Sequence, residues 1–130
     1  QTILPKLKTD LLEIFMSCVD KKLEKQKIDW HKDSSICVVL CSKGYPNKFR
    51  KNIEIDNLEL LNLDTKNFCF HAGTKIVDDK IKSNGGRVLN FVSVSNNLKV
   101  ARNHILRNLD ILNWSNGHYR KDIGFKVIED

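Results

Sequence analysis

Two short stretches combine small residues with a cation: His71-Ala72-Gly73-Thr74-Lys75 and Ser83-Asn84-Gly85-Gly86-Arg87. Glycines let backbone N–H groups approach an anion without a Cβ in the way, and successive N–H groups form a nest. A lysine adds a point charge and an arginine a planar fork that grips a phosphate through two hydrogen bonds. Lys75 and Arg87 are the expected charges, Gly73, Gly85 and Gly86 the backbone contributors, with the Thr74 hydroxyl and the His71 ring adding hydrogen bonds. A plainer reading makes Asn84-Gly85 a hairpin turn and nothing more. Neither stretch follows the P-loop or dinucleotide glycine pattern.

Two further constellations stand beside these. Ser42-Lys43-Gly44-Tyr45-Pro46 reads either as a substrate-side loop or as a turn with a packed tyrosine. Tyr119-Arg120-Lys121-Asp122-Ile123-Gly124 is dense in charge, and an Arg120–Asp122 pair would anchor a loop or place Arg120 near a ligand. Metal chemistry finds little support. His31, His104 and His118 are isolated, and Asp78-Asp79 reads as a solvated hairpin tip. No acid, base or nucleophile is evident, so no catalytic residue is assigned. Cys18, Cys37, Cys41 and Cys69 contain no C-x-x-C spacing and read as small buried hydrophobes in a reducing, cytoplasmic setting.

The elements that must position these groups follow from periodicity. Leu11, Ile14, Phe15, Cys18, Val19 and Leu23 recur at helical spacing, predicting a helix over about 10–25 with Thr9 as its N-cap. Ser35–Ser42 is an apolar run between turn residues and reads as a buried strand. Ile53 and Ile55 are expected in a short strand, and 67–71 in another. The segments 75–77 and 80–83 flank Asp78-Asp79 as a hairpin. Arg87–Ser95 is apolar on both alternating faces, which predicts a central, covered strand. Leu98, Ala101, Ile105, Leu109 and Leu112 form the stripe of a second helix over 98–112, capped by Asn96 or Asn97. A returning strand is expected through Phe125, Val127 and Ile128. The fold class is therefore α+β: a leading helix, then a mostly antiparallel sheet packed by one helix.

Composition narrows the function. The chain has 130 residues, 41% of them hydrophobic and 29% charged, which describes a globular domain rather than a disordered segment. No apolar run reaches the ~20 residues of a membrane span, so no membrane partner is expected. The opening residues read as mid-chain and carry no signal peptide. A net charge of +6 favours anionic ligands. One reading of that charge is a binding module for RNA or another polyanion. Aromatic residues are only 8% of the chain and lie mostly in apolar runs, which argues against base stacking and leaves nucleic acid unexpected as a partner.

Four motifs carry a resemblance. Phe70-His71-Ala72-Gly73-Thr74-Lys75, Asn84-Gly85-Gly86-Arg87-Val88-Leu89, the Ser42–Pro46 stretch and the Tyr119–Gly124 stretch occur in the order and spacing of the phosphoribosylamine–glycine ligase family, of the ATP-grasp superfamily. The chain resembles the carboxy-terminal part of that family nearly end to end, its opening resembling the segment just after the family's acidic metal-binding motif. The resemblance implies an ATP-dependent ligase of purine biosynthesis. Such an enzyme activates glycine as an acyl phosphate, and the amine of 5-phosphoribosylamine then attacks to give glycinamide ribonucleotide, ADP and phosphate. It also implies that ATP and Mg2+ or Mn2+ are held mostly by residues upstream of Gln1, so that this part alone is inactive and binds no metal. Residues 1–32 would end the ATP-grasp domain and 33–130 would form the carboxy-terminal β-rich domain. By similarity Lys75 and Arg87 hold the substrate phosphate with Gly73, Thr74, Gly85 and Gly86, and His71 and Arg120 are weaker carry-overs.

Overall fold

The computed structural model describes residues 1–128. After a single 3-10 turn at Leu4–Lys6, helix α1 spans Leu11–Val19. It is shorter than its periodicity predicts, because Lys21 adopts φ 57° and breaks the helix before a second 3-10 turn at Leu23–Lys25. Its cap is Asp10 rather than Thr9: the carboxylate accepts hydrogen bonds from the N–H groups of Leu12 (2.7 Å) and Glu13 (3.3 Å). Thr9 instead ties the helix entry to the following segment by accepting from the Asp29 N–H at 2.8 Å.

Strands β1 (Ser34–Ser42), β2 (Asn67–His71) and β5 (Arg87–Ser95) pair antiparallel, with the two-residue strand β6 (Gly117–His118) on the outer edge of β1. The order is β2-β5-β1-β6, so β5 is central, as its apolar residues on both faces predict. Strands β3 (Thr74–Val77) and β4 (Lys80–Ser83) form a separate two-stranded sheet. Asp78 and Asp79 join them, both with positive φ (53° and 56°), as a two-residue hairpin turn of the primed type requires. Ile53 and Ile55 make no strand of their own. Only Glu54 forms a bridge, to Lys82 of β4.

Helix α2 (Leu98–Leu112) starts at Asn97, whose side chain accepts from the N–H groups of Lys99 and Val100. It lays Ala101, Ile105, Leu109 and Leu112 over Ile36, Val38 and Leu40 of β1 and Leu89 and Phe91 of β5, and this is the core. The register sets Val38 opposite Phe91 and Leu40 opposite Leu89, so alternation sends Val39 and its partner Asn90 to the other face of the sheet.

Asn108 is a buried polar residue of α2 that the apolar stripe does not announce. Its amide closes two hydrogen bonds with the backbone of Asn62, 2.8 and 3.2 Å, and so docks the long connection before β2 onto the helix. The return strand expected near the end is instead a short helix, α3 (Phe125–Ile128). Gly124, at φ 79°, turns the chain into it. The chain is α+β with mostly antiparallel sheets.

Candidate functional site

The turn after β2 and the turn before β5 meet backbone to backbone. The Gly73 carbonyl accepts hydrogen bonds from the N–H groups of Asn84 (2.7 Å) and Gly85 (3.0 Å), and the Ala72 N–H donates to the Val88 carbonyl. A Cβ on Gly73 would collide with the Arg87 carbonyl and lie 2.8 Å from the Gly85 Cα, so only glycine permits this approach. Asn84-Gly85 is not a hairpin turn, because β4 and β5 belong to different sheets. The link crosses between sheets, and Gly73 holds it in place.

The Ser42–Pro46 turn closes the arrangement from the side. The Ser42 hydroxyl donates to the Gly85 carbonyl at 2.9 Å, and the Ser42 N–H donates to the Gly86 carbonyl at 2.8 Å. The Tyr45 ring packs against Gly86, where any Cβ would strike it, and the Phe49 ring meets Tyr45 edge-on at 6.1 Å between centroids. Tyr45 is thus a packed tyrosine, and it also lines a cleft. Arg87, Gly73, Gly86, Tyr45, Asn90, Val39 and Gln1 line an open cleft of about 580 Å³ on the sheet face opposite α2. Arg87 and the Tyr45 ring meet there beside the backbone of Gly73 and Gly86, while the Asn84 and Gly85 N–H groups are taken up by the Gly73 carbonyl.

The other expected residues are placed differently. Thr74 and His71 are joined to each other, Nδ1 to Oγ1 at 2.9 Å, at the start of the β3–β4 hairpin. Lys75 lies on β3 directly opposite Lys82, outside the lining of the cleft, and has no ion pair among the described residues. Lys82 itself pairs with Asp78. Arg120 is engaged by Asp122, with Nε on Oδ1 at 3.0 Å and Nη2 on Oδ2. This pairing holds the Asp122 carboxyl below its ordinary range and raises Arg120. The loop is further held by Arg102 of α2, whose guanidinium donates to the carbonyls of Ile123 and Lys121. The Tyr119–Gly124 stretch is accordingly an anchored loop.

Asn90 and Val39 line the cleft without having been expected there. For Asn90 the signal available was a polar residue within a mostly apolar strand; Val39 carried none. Cys41, paired with Arg87 across the strands, has its thiol pushed up by burial and eased back by the Arg87 charge. Cys69 is pushed up to about 11 by burial alone, which makes it inert as a nucleophile. Cys18, by contrast, is exposed rather than buried. Among the described residues no group of three or more His, Cys, Asp or Glu comes together to hold a metal ion, and no helix is long and apolar enough to cross a membrane.

Comparison with known proteins places this geometry in context. Residues 35–126 match the family model for the phosphoribosylglycinamide synthetase C domain. A phosphoribosylamine–glycine ligase of Caldanaerobacter subterraneus is 40% identical over 123 residues, covering 95% of this chain and 29% of that protein. The trifunctional purine biosynthetic protein adenosine-3 of Gallus gallus is 38% identical over 132 residues, covering 98% of this chain and 13% of that protein. A crystal structure of the Thermotoga maritima phosphoribosylamine–glycine ligase superposes with a TM-score of 0.64 at 27% identity, covering 85% of this chain and 27% of the other. The chain therefore spans under a third of the ligases it matches.

Proposed function

The chain belongs to the phosphoribosylglycinamide synthetase C-domain family, and from that premise we propose that it is the carboxy-terminal part of a phosphoribosylamine–glycine ligase that binds the 5-phosphate of phosphoribosylamine and closes over the reacting groups. The observation that carries this reading is the Gly73–Gly85 contact, which presents Arg87 and two glycine-bearing turns at one cleft. Arg87 is the primary phosphate ligand, and the backbone at Gly73 and Gly86 lines the same cleft. Lys75, two residues beyond Gly73 but outside the lining of the cleft, is assigned in this reading only a longer-range second charge, with Thr74 and His71 bracing the turn. Gly85 contributes by holding the turns together. Arg120, already paired with Asp122, belongs to loop anchoring rather than to the phosphate.

ATP and a divalent metal, Mg2+ or Mn2+, would supply the phosphoryl group that activates glycine and the charge that steadies its transfer. This chain's described residues do not fit a metal site, so the reading assigns those ligands, and the catalytic step, to the rest of the ligase polypeptide. Residues 1–32 end the neighbouring ATP-grasp domain in this reading, and 33–130 form the closing domain. Two facts support the boundary: the family match begins at residue 35, and α1 buries none of its residues. The setting is cytoplasmic, with phosphoribosylamine, glycine and ATP as substrates.

The test is Arg87→Ala in the full-length ligase. The Michaelis constant for phosphoribosylamine should rise by an amount equivalent to about 2–5 kcal/mol, the range for leaving a charged partner unpaired, while that for ATP stays nearly constant. An unchanged constant for phosphoribosylamine would overturn the assignment.

A further inference from the structure

A second cationic cleft lies beyond the Tyr45–Phe49 pair. Lys43, Lys48, Phe49, Arg50, Ile53 and Asn116 line about 470 Å³ of open space, a volume in the range of small-molecule pockets. Three of these side chains are cationic and none is acidic. Most ion-paired cations elsewhere on the surface have a near neighbour in sequence or across a strand, as with Lys22–Asp20, Lys27–Asp29, Lys82–Asp78 and Arg120–Asp122. Lys43, Lys48 and Arg50 have no carboxylate partner among the described residues, and no Asp or Glu occurs between Asp33 and Glu54.

The convergence is built by the backbone. Gly44 adopts φ +98°, and a Cβ there would strike the Lys48 carbonyl, so the turn folds tightly enough to bring residues 43 and 48 together. The Lys43 N–H donates to the Asn116 carbonyl at 2.8 Å, which fixes the turn against the segment that enters β6. The Phe49 ring, held edge-on by Tyr45, supplies a flat apolar wall beside the charges. Tyr45 belongs to the Arg87 cleft and Phe49 to this one, so the aromatic pair separates two anion-attracting clefts.

We infer that the Lys43–Lys48–Arg50 cleft is a binding site for a nucleoside phosphate, distinct from the Arg87 cleft. The three cations receive the phosphate and Phe49 stacks on the base. Cations without carboxylate partners select a multiply charged anion, and the aromatic wall selects one that carries a flat ring. The site needs neither the Arg87 assignment nor the ligase reaction to be correct.

Hydrogen exchange on the full chain, with AMP and inorganic pyrophosphate as probes, tests the inference. AMP should protect the backbone over residues 43–53. Lys48→Ala combined with Arg50→Ala should weaken that effect by about tenfold or more, as expected for lost hydrogen bonds to a charged group. Phe49→Leu should weaken AMP by about fivefold or more while leaving pyrophosphate unchanged, and Phe49→Tyr should restore AMP. Arg87→Ala should leave the protection of 43–53 intact, which separates this site from the other. Absence of protection over 43–53, or equal protection in the Lys48/Arg50 double variant, overturns the site. Equal weakening of AMP and pyrophosphate by Phe49→Leu overturns the nucleotide as its ligand.

Discussion

Helices α1 and α2 both carry an apolar stripe at helical spacing, yet their fates differ. Helix α2 buries Ala101, Ile105, Leu109 and Leu112 against the sheet. Helix α1 buries nothing: Leu12, Phe15, Met16 and Val19 are each more than half exposed. Amphipathic spacing states that a face wants cover; it does not state what covers it. Single exposed apolar residues are ordinary, whereas four on one short helix form a patch that marks an interaction surface. In the proposed reading the rest of the ligase supplies that cover.

The sharpest way to break this comparison is to truncate one residue in each stripe. Ile105→Ala should destabilise the 130-residue chain by about 2–5 kcal/mol, the cost of lost transfer plus a cavity, read by denaturant unfolding. Phe15→Ala should change the same midpoint by no more than about 0.5 kcal/mol. A Phe15→Ala cost as large as that of Ile105→Ala would mean that α1 is integral to this body. Caps give a smaller version of the same contrast. Asn97→Ala should cost about 1 kcal/mol of global stability, while Asp10→Ala should lower helical content by circular dichroism without moving the unfolding midpoint.

A pH experiment sharpens the comparison from the side of the sheet. Asp64 accepts from the backbone N–H groups of Lys66 and Asn67 and from the Asn67 amide, and these bonds hold its carboxyl below its ordinary value. Asn67 in turn accepts from the buried Ser93 hydroxyl of β5 at 2.7 Å. A carboxyl whose pKa is lower in the folded state stabilises that state above its unfolded pKa, and the contribution is lost as pH falls through the folded value. Asp64→Asn should therefore flatten the fall in stability below about pH 4 and leave the curve above pH 6 parallel to that of the parent. An unchanged acid limb would show that the bonds confer no stability. Thiol labelling leaves stability untouched and still separates the two regions. At pH 8 the exposed Cys18 of α1 should react well before Cys69 of β2, whose pKa of about 11 leaves little thiolate. Mass spectrometry reads the order, and a faster Cys69 would contradict its burial.

Sequence by itself determined the elements with long, unambiguous periods: β1, β5 and α2, because alternation and helical spacing are local properties of the chain; the α2 cap it narrowed to Asn96 or Asn97, and the structure selects Asn97. It also located the glycine-bearing turns and Arg87, since glycine beside a cation is a chemical statement legible without coordinates. Tertiary structure alone decided that β4 and β5 part into separate sheets, which turned Asn84-Gly85 from a hairpin turn into a crossing held by the Gly73 carbonyl. It alone brought Tyr45 onto Gly86 and Asn90 into the cleft, and left Lys75 opposite Lys82 rather than in the lining beside Arg87. The physical reason is distance along the chain. Contacts between residues 42–45, 73 and 85–90 depend on how strands pair, and strand pairing is settled by the burial of whole faces, to which no single motif gives access.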